Sequence, residues 1–124
     1  MKILAADDDP GMLEFYKALF SDAGFEVETA EDGVSAMEKC LDFKPDLLVL
    51  DVDMPAGGGE RVFNVARRLL QLGIPVVFVT GLPEQVQLAA LTHQAVSVFQ
   101  KPVTAEALLA EVRRLLKRPA GPQV

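Results

Sequence analysis

The chain has 124 residues, half of them apolar and a quarter charged, which fits one soluble domain able to bury roughly two-thirds of its unfolded surface. A formal charge of −6 weighs against nucleic acid as a direct partner, although part of it sits in Asp7-Asp8-Asp9, where a bound cation would reduce it. Cys40 is the single cysteine, so an intrachain disulfide is excluded; a reducing compartment fits, and a cytoplasmic location is expected.

Lys2 is followed by only four apolar residues before the three aspartates, too few for the apolar core of a signal peptide. A first strand is expected over residues 2–6 and ends at Asp7. Pro10 suits the first turn of a helix over 10–23, Asp9 reads as its cap, and Gly24 stands where it should stop. A second strand reads at 25–29 and a second helix at 33–43. Leu47-Leu48-Val49-Leu50 forms the third strand, 46–51, which ends on Asp51; Val52-Asp53-Met54-Pro55 and Gly57-Gly58-Gly59 follow. Val62, Val65, Ala66, Leu69 and Leu70 make one stripe of a third helix, 59–72, stopped by Gly73. The fourth strand, 75–80, runs through Val76-Val77-Phe78-Val79 to Thr80. Like the third, it is a continuous apolar run, as in strands covered on both faces.

A fourth helix reads at 83–93, with Glu84 its only formal charge and His93 a surface residue. The fifth strand, 96–100, leads into Lys101-Pro102. Thr104 caps a fifth helix, 104–118, whose stripe is Leu108, Leu109, Val112, Leu115 and Leu116. Arg113, Arg114, Lys117 and Arg118 suit its C-terminal dipole. Residues 119–124 carry Pro119, Gly121 and Pro122 without periodicity and read as a tail or the start of a linker. Gly73, Pro75, Gly81 and Pro83 interrupt the longest uncharged stretches, so no membrane span is expected. Regular alternation of strand and helix predicts an α/β fold, a doubly wound five-stranded parallel sheet with helices on both faces.

In such sheets ligands bind beyond the C-terminal strand ends. Asp7, Asp8, Asp51, Thr80 and Lys101 all fall there. Alone, Thr80 ends a strand and Lys101 is a solvated cation; together they converge. Clustered carboxylates repel unless a cation joins them, and oxygen donors suit a hard ion such as Mg²⁺. Lys101 offers a positive charge to a carboxylate or phosphoryl oxygen, Thr80 a hydroxyl, and the glycines a close backbone approach.

This pattern resembles the receiver domain of bacterial two-component response regulators over residues 1–118. The shared features are Asp7-Asp8, Asp51 with Met54-Pro55 and Gly59, Thr80, and Lys101-Pro102. The resemblance implies the flavodoxin-like strand order 2-1-3-4-5 with five helices in three α/β/α layers. It implies that Asp51 is the phosphoacceptor, charged by a sensor histidine kinase, a phosphotransfer protein or a small phosphodonor. Lys101 and Thr80 would contact the phosphoryl oxygens. Mg²⁺ (or Mn²⁺) would be bound by Asp8, Asp51 and the backbone carbonyl of Asp53, with Asp7 acting through water. The Lys101-Pro102 bond is expected to be cis. The protein would be a switch, at most self-catalysing phosphotransfer and autodephosphorylation, that acts on an output domain or protein.

Two departures stand out. The family often has an aromatic three residues before the lysine; here that position is Val98, and Phe99 follows, aimed at the opposite face. Gln94 stands where glycine is frequent. Two other readings stay open. Asp51-Val52-Asp53 imitates the Asp-x-Asp of haloacid-dehalogenase-type phosphatases, but on the third strand rather than the first. A phosphorylation-independent pseudo-receiver would be favoured by loss of an acidic or lysine position. The fourth helix lacks basic residues for an ion-paired dimer, so a monomer or weak dimer is expected. Sedimentation of the activated protein should show no tight dimer through that helix.

Overall fold

The structure, a computed structural model, describes residues 1–52, 68–69, 71–83 and 96–117. The strands are β1 (Lys2–Ala6), β2 (Glu26–Ala30), β3 (Leu47–Leu50), β4 (Val76–Thr80) and β5 (Val96–Gln100). The helices are α1 (Pro10–Asp22), α2 (Gly33–Phe43) and α3 (Ala105–Lys117). All strand pairs are parallel, in the order β2-β1-β3-β4-β5. The register aligns Ala6 with Leu50, Leu50 with Phe78, and Thr80 with Gln100, so the C-terminal ends share one edge of the sheet.

Period-two alternation divides the sheet residues between two cores. Leu4, Ala6, Leu48, Leu50, Val76 and Phe78 pack with Ala36 of α2 and with Leu69. Ile3, Ala5, Leu47, Val49, Val77 and Val79 pack with Tyr16 and Phe20 of α1 and Leu108, Val112 and Leu115 of α3. This is the three-layer arrangement expected, and it explains why β3 and β4 carry no polar position until their ends. A fully buried Leu or Val contributes roughly 1.5–3 kcal/mol, so α3 is held mainly by its three buried residues.

Local chemistry sets the helix ends. Asp9 caps α1, its side chain accepting from Gly11 N at 2.9 Å, with Pro10 at the first helical position. Asp32 caps α2 by accepting from Ser35 N at 2.7 Å, and Thr104 caps α3 through Ala107 N at 3.2 Å. After α1 the N–H of Gly24 bonds Ser21 O and that of Phe25 bonds Phe20 O, both at 3.0 Å. These two bonds form a Schellman motif, and the Phe20 and Phe25 rings close it edge to face at 6.4 Å. Arg68, Leu69 and Gln71 are helical, and Ile74 N bonds Leu69 O at 2.9 Å around Gly73. The rest of the expected third helix, all of the fourth beyond Pro83, and the tail lie outside the described residues. No described helix is long and apolar enough to cross a membrane.

Gly24 has φ +94°, and a Cβ there would meet no atom within 4 Å. Gly24→Ala should therefore cost only the left-handed backbone penalty, about 1 kcal/mol, read as a lower urea midpoint with an unchanged slope.

Candidate functional site

The sheet's hydrogen bonding continues one residue past three strands. Asp7 N donates to Ala30 O (3.0 Å), Asp51 N to Ala6 O (3.1 Å), and Lys101 N to Thr80 O (2.8 Å). The backbones that carry the three charged side chains are thus fixed to neighbouring strands. Alternation then aims them. Asp7 continues the row of Ile3 and Ala5, Asp51 that of Leu47 and Val49, and Lys101 that of Phe99, all on the α1/α3 side. Thr80 continues the row of Val76 and Phe78 on the α2 side.

Lys101 Nζ lies 2.8 Å from Asp7 Oδ2 and 2.9 Å from Asp51 Oδ2. Asp7 is fully buried and Asp51 is 4 % exposed. The approach to Asp51 is a well-formed hydrogen bond. The approach to Asp7 Oδ2 is close but poorly aligned, an ion pair without a good hydrogen bond. Asp7 Oδ1 accepts from Asp9 N at 3.0 Å. Asp8 is exposed, and oxygens of Asp7, Asp8 and Asp51 all lie within 4.8 Å of one another. Three of the expected acids therefore meet, with Lys101 beside them. Thr80 is fully buried at the same rim, and its Oγ1 accepts from Leu82 N at 3.0 Å. Asp53, Met54, Pro55 and the glycine loop lie outside the described residues.

Burial pushes the Asp7 carboxyl above the ordinary range, against the opposing pull of Lys101 and the Asp9 N–H; the Asp51 charge pushes it further up. Burial alone would lower the Lys101 ammonium, but its contacts with Asp7 and Asp51 outweigh that and raise it, so it stays charged at neutral pH. The donor set suits a hard divalent ion: carboxylate oxygens only, one of them buried without a well-aligned partner.

The Lys101-Pro102 bond is cis, as expected. Asp9, Met12, Phe15, Lys101, Pro102 and Val103 line an open cleft of about 500 Å³ beside the acids. Val98 packs toward α2 and Phe99 toward α1 and α3, as alternation requires. One neighbour escaped the sequence reading. Tyr16 is buried on the α1/α3 side, stacked on Phe20 at 6.1 Å, and burial together with the charges of Asp7 and Asp51 pushes its phenol up. Its four-residue spacing from Met12 and Phe20 was the available signal.

The response regulator receiver domain family matches this chain over residues 3–113. The chain belongs to that family. Response regulator MprA of Mycobacterium leprae is 39% identical over 121 residues, which are 95% of this chain and 52% of that protein. Response regulator MprA of Mycobacterium avium is 37% identical over the same shares of each. The chain thus spans about half the length of the curated relatives it matches. Among solved receiver structures, Vibrio cholerae chemotaxis protein CheY4 superposes with TM-score 0.77 at 32% identity, covering 92% of this chain and 97% of that one. Response regulator TrrA of Thermotoga maritima, solved with Mg²⁺-BeF, superposes with TM-score 0.77 at 26% identity and the same coverage. A receiver domain is a signalling switch rather than a self-standing enzyme.

Removing the cation from this receiver leaves buried negative charge. Breaking a fully buried pair costs about 3–5 kcal/mol; with the Lys101 side chain 24% exposed, Lys101→Met should cost about 2 kcal/mol in metal-free buffer. Urea unfolding checks this, and the loss should shrink when Asp7→Asn is added to the same chain.

Proposed function

We propose that this receiver is a phosphorylation-dependent switch in which Asp51 takes a phosphoryl group from the phosphohistidine of a sensor kinase or phosphotransfer protein. One observation carries the reading: the carboxylates of Asp7, Asp8 and Asp51 converge within 4.8 Å, with Lys101 Nζ in contact with two of them. In the transfer, the P–N bond breaks, an Asp51 oxygen bonds phosphorus, and the imidazole nitrogen leaves with the electron pair. Such a transfer asks the protein for in-line positioning and charge neutralisation more than covalent help.

Each residue's part follows from its place. Asp51 is held by its own N–H on β1, so its carboxylate is oriented before the donor arrives. Lys101, charged and already beside Asp51, moves its contact to a phosphoryl oxygen. Thr80 supplies a hydroxyl donor at the same rim. Asp8 and Asp51 would hold Mg²⁺ or Mn²⁺ directly with the Asp53 carbonyl, and Asp7 through water. When bound, the ion supplies positive charge that offsets the phosphoryl oxygens. Self-catalysed transfer from small donors and autodephosphorylation belong to the same site.

Residues 1–118 would form this receiver and 119–124 a tail or linker toward an output domain or protein, in the cytoplasm. A phosphorylation-independent role would be favoured by a missing acid or lysine, and Asp7, Asp8, Asp51 and Lys101 are all present.

Acetyl phosphate with Mg²⁺ should label the wild-type chain with one phosphoryl group, by intact mass. Asp51→Asn should drop labelling to background, and chelation should do the same to the wild type. Equal labelling of both chains would remove the proposal.

A further inference from the structure

A surface helix needs one apolar stripe, and α2 has two. In the first, Gly33 and Ala36 are buried, and Cys40 and Phe43 pack against the same core. The second is Val34, Met37 and Leu41, at spacings of three and four, which are 36%, 37% and 70% exposed. It lies about a third of a turn around the helix from the first. Among the described residues five large apolar side chains are exposed, and these three share one helix face. Charge borders that face. Glu38 and Asp42, four residues apart, are exposed beside Met37 and Leu41, and neither has an ion-pair partner among the described residues. Glu31 is exposed just ahead of the helix. The single cation within α2, Lys39, is turned away: its Nζ donates to Thr29 O and lies 3.8 Å from Glu28 Oε1 on β2.

We propose that the outer face of α2 docks a basic amphipathic helix of a partner protein. Apolar residues of that helix, at spacings of three and four, cover Val34, Met37 and Leu41; its flanking lysines or arginines pair with Glu38 and Asp42. The unbranched Met37 adapts to the side chain set against it. A net charge of −6 steers a cationic partner toward the chain. A second copy is the poorer occupant, because antiparallel two-fold pairing of α2 sets each acidic edge against itself. Three side chains make a small contact, so docking is weak and reversible. α2 covers the other side of the sheet from the row that Asp51 extends, and docking does not depend on that residue.

Two synthetic helical peptides, each about four turns long, test this by NMR titration of the full chain. One carries leucines at spacings of three and four with lysines beside them; the other has glutamate for every lysine. The lysine peptide should move the amide signals of residues 34–42 and bind about tenfold more tightly than the glutamate peptide, in wild type and Asp51→Asn alike. Leu41→Ser should weaken it about tenfold, and Glu38→Gln with Asp42→Asn should erase the preference for lysine; all three positions are exposed, so the fold is kept. Shifts that avoid α2, no binding of the lysine peptide, equal binding of both peptides, or an unchanged affinity in Leu41→Ser overturns the proposal. A dimer in sedimentation that Leu41→Ser dissolves also overturns it, and assigns the face to a second copy.

Discussion

A single ammonium group between two buried carboxylates is the constraint on which this site depends. Lys101 reaches Asp7 and Asp51 at 2.8 and 2.9 Å, with Asp8 close by. Charge at a buried rim is tolerable only when paired, and one cation does not neutralise three carboxylates. The raised Asp7 and Lys101 pKa values are two sides of that imbalance: burial makes the carboxylate reluctant to ionise, and the carboxylates hold the ammonium's proton. The resting site is therefore poised to accept further positive charge, and a divalent ion answers that demand without disturbing the apolar layers beneath.

The fold meets this constraint through strand length and parity. β1 and β3 bury every residue up to their ends except Lys2, so polarity is confined to the edge. Because Asp7, Asp51 and Lys101 each extend a row facing α1 and α3, they emerge on the same side of the sheet without any loop having to fold back. A one-residue slip in any of these strands would point its charge into the α2 core instead. The N–H bonds from Asp7, Asp51 and Lys101 to neighbouring strand ends resist that slip, so the same ladder that stabilises the sheet also sets the geometry of the acid and lysine cluster.

Most of this was legible in the amino-acid order. Apolar runs that stop abruptly at Asp7, Asp51, Thr80 and Lys101 located the strand ends, and Asp9, Pro10, Gly24 and Thr104 marked helix boundaries that the structure reproduces. Strand order came from family resemblance, since alternation alone says parallel and not which strand is central. How Lys101 divides its contacts between two acids was not legible, because it depends on register across β1, β3 and β5 together. Tyr16 was missed for a related reason: a one-dimensional stripe says that a side chain faces inward, not that it lies close to charges carried by two other strands.

Parity also explains why the rim is asymmetric. Thr80 extends the row that faces α2, and its hydroxyl oxygen accepts locally from Leu82 N. The charged residues of the α1/α3 row are fixed by ladder bonds and ion pairs. Among the described residues, Thr80's side chain is held by one bond of ordinary strength to an adjacent turn. The row that Thr80 extends faces α2, whereas Asp7 and Asp51 extend rows that face α1 and α3, so the strand ends converge on one rim from both layers.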